Sequence, residues 1–233
     1  MRFLRRLVIT VVVLALLAVA ADRVACWAFE RTFAHEATAQ TDARDVSASI
    51  HGFPFLTQLW NGSLDDVTVS AASATFGGTT VTDVDVDGTG VSLTSPYVVT
   101  DGRVEATVPV SELEKQVAAR TRSDVTLEAT DDGLVATTKV VGISVGLVLE
   151  PKVSGGSLTV DVKAAKVAGA TVSADSLPGG LASAVDGIRV PLDLPEGVTL
   201  TGASVVPVDG DSEGGVRVSA KASDVALEHL ASS

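Results

Sequence analysis

The sequence predicts a mainly β protein of the α+β kind: an antiparallel sheet with a few short helices, preceded by an N-terminal hydrophobic helix. Three observations carry this. The 233 residues are 46% hydrophobic but only 4% aromatic, so Val and Ala must build the core, and β-branched residues favour strands. From residue 45 onward, apolar and polar residues alternate with a period of two. Turn residues, among 21 glycines and 8 prolines, separate these runs as hairpin connections require.

The chain opens with an export pattern. Arg2, Arg5 and Arg6 precede Leu7–Ala21, a run without charge, in the n-region and h-region order of a secreted protein. As a helix that run rises only about 22 Å, short of the roughly 30 Å hydrocarbon core, and the small residues Ala18–Ala20 suit cleavage. Residues 22–44 continue in a helix-compatible way. Residues 1–21 therefore read either as a cleaved signal peptide or as a retained signal anchor, followed by a membrane-proximal helix over 22–44 and a β-rich domain over 45–230. In both cases the arginines stay inside. The bulk of the chain is expected in the cell envelope, at the outer face of the cytoplasmic membrane or in the periplasm. Cys26 is the sole cysteine, which rules out an internal disulfide. Arg23 stands where a lipoprotein motif needs an aliphatic residue, so Cys26 reads as a small apolar residue on a helix.

Charge excludes whole classes of partner. The formal net charge is −12, and without the three arginines of residues 1–21 the remainder has 14 basic against 29 acidic residues, or −15. Nucleic acid is excluded. So is polybasic attraction to an anionic bilayer, which leaves apolar contact as the means of holding a lipid.

The strands follow in order. Val46, Ala48 and Ile50 share one face of the first, Val67 and Val69 one face of the second, and Val84 and Val86 one face of the third. Runs of the same kind occupy 90–93, 97–110, 124–130, 143–150, 157–167 and 214–227. Turn signals fall at 76–78, 100–102, 130–133, 154–156 and 209–215, and hairpin connections make the sheet antiparallel. Two helices interrupt it. Ser111–Arg120 opens with Ser111 and Glu114 in capping-box spacing, and a short helix over Leu181–Val185 is bounded by Pro178 and Gly187.

One stretch departs from this small-residue pattern. Residues 49–70 gather Phe53, Phe55, Leu56, Leu59 and Trp60 around Pro54. Pro54 suits the first turn of a helix and Gly62 its C-terminal cap. Between them Phe55, Leu56, Leu59 and Trp60 sit at i, i+1, i+4 and i+5 on one broad apolar face. Two readings remain open: the helix plugs one end of a sheet whose valines are too small to fill it, or it forms an aromatic gate over an apolar groove wide enough for an acyl chain.

Residues 50–71 closely resemble the N-terminal signature of the LmeA-like phospholipid-binding family of actinobacterial cell-envelope proteins. Gly52, Phe53, Pro54, Phe55, Leu56, Thr57 and Gln58 match in order, followed by Gly62 and the strand Val67–Val69. Beyond them the likeness is one of layout: alternating strands, a helix start at Val110–Leu113, and a comparable length. The resemblance implies a phospholipid ligand, a curled sheet similar to tubular lipid-binding domains and a link to the assembly of mannose-containing envelope lipids; on the gate reading of the residues themselves, Phe53, Phe55, Leu56, Leu59 and Trp60 contact the lipid. Arg103, Arg120, Arg122 and Lys139, read as lying near strand ends, are candidate headgroup contacts.

Other chemistries fit less well. Gly142–Gly146 matches G-x-S-x-G around Ser144, but a nucleophile elbow needs a strand–turn–helix and this run continues as strand. The histidines available to a triad are His35, His51 and His229. Asp83, Asp85 and Asp87 imitate an EF-hand start, yet position twelve is Thr94 and valines fill the intervening places; residues 209–214 read as a polar turn. No cofactor and no metal is expected. The sequence thus points to an exported, membrane-associated, non-enzymatic protein that binds phospholipid in an apolar groove and meets the membrane through its N-terminal helix. The alternatives are a non-catalytic envelope scaffold with a solid core and, further off, a serine hydrolase.

Overall fold

A computed structural model describes residues 2–76, 78–121, 125–140, 143–167, 170–173, 188–190, 196–210 and 212–226. The N-terminal helix does not break at Ala18–Ala20. Helix α1 runs unbroken over Arg2–Thr41, since no Gly or Pro interrupts it and its Ala, Leu, Arg and Glu favour helix. Its neighbours change at Asp22. Residues 12–21 are exposed, whereas Asp22 and Cys26 are buried against the rest of the protein.

Among the described residues two further helices and twelve strands follow: β1 (Ser47–His51), α2 (Phe55–Asn61), β2 (Ser63–Phe76), β3 (Thr79–Ser92), β4 (Val98–Pro109), α3 (Val110–Thr121), β5 (Val125–Thr130), β6 (Gly133–Val140), β7 (Ile143–Ser154), β8 (Ser157–Val167), β9 (Ala170–Ser173), β10 (Ile188–Val190), β11 (Val198–Val206) and β12 (Gly215–Ala226). They form two antiparallel sheets. The first has the order β1-β2-β3-β4-β12-β11; the second has the order β10-β8-β7-β6-β5, with β9 on β8.

The hairpins at 130–133 and 154–156 close where turn residues fall. Three expectations need correction. Residues 100–102 are not a turn but lie inside β4, because Gly102 is paired on both sides, with Gly88 and with Ala222. Residues 90–93 are not a separate strand: β3 runs on through Ser92. Ser111 and Glu114 form no capping box. The Ser111 hydroxyl donates to Glu213 at 2.7 Å and Glu114 accepts the Leu127 amide at 2.6 Å, so tertiary ties to β5 and to the loop before β12 replace the local one. The expected helix over Leu181–Val185 lies outside the described residues.

The core is divided into three clusters. Val110 on α3 packs with Leu127, Ala129, Leu134 and Val216, joining the two sheets. Ala43, Ala74, Val81 and Val84 form a second. The third holds Cys26 of α1, Ile50, Phe55 and Leu64, so α1 and α2 close one end of the first sheet together. There Glu30 accepts the Ile50 amide at 2.7 Å, blunting the otherwise open edge of β1.

Candidate functional site: an apolar sheet face and its lip

The strand register of the first sheet sorts its side chains by polarity. One transverse row reads Ala48, Val69, Val86, Val104, Ala220 and Leu200. The next reads Ile50, Val67, Gly88, Gly102, Ala222 and Val198. Residues offset by one point the other way, and their row is Ser49, Thr68, Asp87, Arg103, Lys221 and Thr199. One face is therefore wholly apolar and the other polar.

The apolar face is not filled. Val104 lies on a central strand in the middle of its row, where a packed core would bury it, yet it is 37% exposed; Val69, Val86 and Ala220 around it are only half-buried. Small residues make the floor shallow. A Cβ on Gly102 would approach Ala222 Cβ to 3.2 Å and Val99 Cγ1 to 3.5 Å, so a larger residue there would raise the floor. Leu200 closes one end of the row at 5% exposed, and the five strands from Ala48 to Ala220 at about 4.8 Å spacing leave about 19 Å, more than the roughly 15 Å of hydrocarbon in one leaflet. The surface suits an acyl chain by both composition and length.

At the end of this face stands α2. Pro54 is its N-cap rather than a first-turn residue, with extended backbone, and Gly62 ends it in the left-handed conformation at φ 70°. Gln58 explains much of the surrounding sequence. Its amide donates to the His51 carbonyl at 3.2 Å and accepts the Asp65 amide at 2.8 Å, bridging β1 and β2. Gly52, at φ 97°, leaves the space into which the Gln58 amide projects. The N-terminal turn is capped from outside: Asp22 of α1 accepts the Leu56 amide at 2.8 Å.

The broad apolar face expected of α2 is split. Phe55 is 1% exposed, its ring 5.7 Å from that of Phe29, and it packs beside Val67 and Val91 at the end of the apolar sheet face. Leu56 (46%), Leu59 (41%), Trp60 (90%) and Phe53 (61%) face outward. The reason is the partner: α1 and the sheet together cover one side of this short helix, and Gln58 takes the second buried position. Phe55 is thus a plug and its neighbours form a lip.

The family model for LmeA-like phospholipid-binding proteins matches residues 20–220. The chain belongs to this family. Comparison with curated proteins and with solved structures gives no match. Membership supports a lipid ligand, and the LmeA-like match covers β1 to β4 and β11 of the apolar face and β12 as far as Ala220.

The remaining expected residues are scattered. Arg103 lies in the middle of β4 on the polar face, not at a strand end, because the register turns it away from the apolar side. Arg122 lies outside the described residues, as do the side chains of Arg120 and Lys139. A cavity of about 370 Å³ at the β5–β6 turn is lined by Asp131, Asp132, Glu150, Lys163 and Ser204 among others, a polar and mostly acidic lining unsuited to an acyl chain. Glu150 pairs with Lys152 at 2.8 Å and Lys163 at 3.3 Å, and the Lys152 bond foremost holds its carboxyl below the usual range. Ser144 is exposed on β7, in the second sheet, paired with Lys139. His51 is on β1 in the first sheet, where its ring faces Asp66 at 3.5 Å. Among the described residues no group of three or more His, Cys, Asp or Glu is placed to hold a metal.

The residues that sequence reading did not single out are Asp22, Val104 and Ala220, and Gln58 entered only as a matching position of the signature. The period-two pattern places Val104 and Ala220 on alternating strands, but only the pairing of β4 with β12 brings them side by side.

Proposed function

We propose that this LmeA-like protein is a non-catalytic phospholipid carrier of the cell envelope. It lays acyl chains along the apolar face of its first sheet while α1 holds it at the outer face of the cytoplasmic membrane. In line with the family resemblance, it serves the assembly of mannose-containing envelope lipids. The observation that carries the reading is the exposure of Val104 at the centre of a row of six apolar residues. Each methylene moved from water onto that row gains about 0.8 kcal/mol, so a chain is held without any charge, as suits an acidic protein. Helix α1 supports the membrane placement: residues 12–21 are apolar and exposed, and they open Val12–Thr32, a candidate span of mean hydropathy 2.0 whose remainder packs on the domain from Asp22 on.

A scaffold with a solid core would bury Val104, and the half-covered face disfavours it. The test is native mass spectrometry of the purified full chain with lipid extraction. Phospholipid in near-stoichiometric amount is the expected result; a lipid-free protein that also fails to take up added phospholipid overturns the proposal.

A further inference from the structure

The outward side of α2 gathers four large apolar side chains within eight residues. Phe53, Leu56, Leu59 and Trp60 are each more than 40% exposed, and Trp60 is 90% exposed. We infer that this lip is embedded in the bilayer interface, and that it meets the membrane itself rather than only the bound lipid.

The argument starts from length. The uncharged run Leu7–Ala21 rises about 22 Å as a helix, some 8 Å short of the hydrocarbon thickness. A bilayer thins around such a helix, which brings its headgroup level to the residues that follow the run. Those residues hold α2. Asp22, the first residue after the run, accepts the Leu56 amide at 2.8 Å, and Arg23 donates to the Gly52 carbonyl at 3.1 Å. These bonds fix the lip at the level where the apolar run ends. Its composition suits that level: Trp belongs to the aromatic belt of membrane interfaces, Phe and Leu line the apolar side of interfacial helices, and the Arg23 guanidinium, ion-paired with Asp22 at 2.9 Å, lies 5.4 Å from the Phe53 ring centre. On the inner side of the same helix, Phe55 packs beside Val67 and Val91 at the end of the apolar sheet face. The lip therefore connects the leaflet to the groove, and a lipid passing between them need not cross water.

The inference rests on the proposed function only for its use, and the experiment separates the two. Trp27 and Trp60 are the only tryptophans, so full-length Trp27→Phe protein reconstituted in phosphatidylcholine vesicles reports Trp60 alone. Lipids brominated near the headgroup end of their chains should quench Trp60 emission strongly, and Leu56→Asp with Leu59→Asp in the same background should relieve the quenching while α1 keeps the protein in the vesicles. The Val104→Glu variant places a charge in the groove and leaves α2 untouched; it should lose bound lipid and keep the quenching. Absence of Trp60 quenching in vesicle-inserted protein that still binds phospholipid overturns the lip and spares the carrier reading. Quenching that vanishes with Val104→Glu assigns Trp60 to the bound lipid and overturns it equally. Quenching in a protein that binds no lipid supports the lip and removes the carrier.

Discussion

The Asp22 carboxylate accepts the backbone amide of Leu56 at 2.8 Å, joining the point where α1 leaves its exposed stretch to the first turn of α2. A helix start has unpaired amides that need an acceptor, and Pro54 offers no side-chain cap. A residue far back in the chain supplies one. From Asp22 onward, α1 is therefore part of the folded domain as well as its approach to the membrane.

This predicts that Asp22→Ala lowers the thermal midpoint of the full chain in detergent, because the Leu56 amide loses its acceptor in a buried setting. Asp22→Asn, whose side-chain oxygen still accepts, should recover much of the loss. Equal melting of the alanine variant and the wild type would remove the capping role.

Phe55 and Trp60 are separated by roughly one and a half turns of helix and should behave oppositely. Phe55→Ala empties a fully buried site and should cost about 3–5 kcal/mol in denaturant unfolding. Trp60→Ala removes a side chain that is 90% exposed and should change stability by less than about 0.5 kcal/mol.

That division marks the limit of what the sequence made legible. The alternation of Val67 with Val69 and of Val84 with Val86 identifies strands and their apolar sides, and Gly62 locates the end of α2. Positions 55, 56, 59 and 60, however, span an arc wider than one neighbour can cover, and the packing of α1 decides which part turns inward. Strands β6 and β11 were hidden for local reasons. Leu134 and Val135 are both buried on opposite faces of β6, which erases the alternation, and a register shift between Leu200 and Gly202 interrupts β11. The apolar face itself depends on β12 lying between β4 and β11, a long-range pairing that no local pattern encodes.

The polarity of the two sheet faces yields a paired prediction. Val104→Glu should reduce phospholipid per protein several-fold with little change in melting, since the side chain is already part-exposed and no packed neighbour is displaced. Arg103→Glu, one residue away on the opposite face, should leave lipid content unchanged. Equal effects of the two would argue for a surface-charge effect and against a groove.

Ser144 provides a control for the catalytic alternative. It sits on β7 opposite Lys139, on strand backbone without the sharp turn a nucleophile needs. Ser144→Ala should leave lipid binding unchanged, and a fluorophosphonate probe should leave Ser144 unlabelled.

The most direct measurement is photo-crosslinking with a phospholipid carrying a diazirine in its acyl chain, bound to the full-length protein and mapped by peptide mass spectrometry. The predicted labels fall on Val69, Val86, Val104 and Ala220, the central row of the apolar face. Labels confined to α1 and the lip, with none on that row, would contradict the groove.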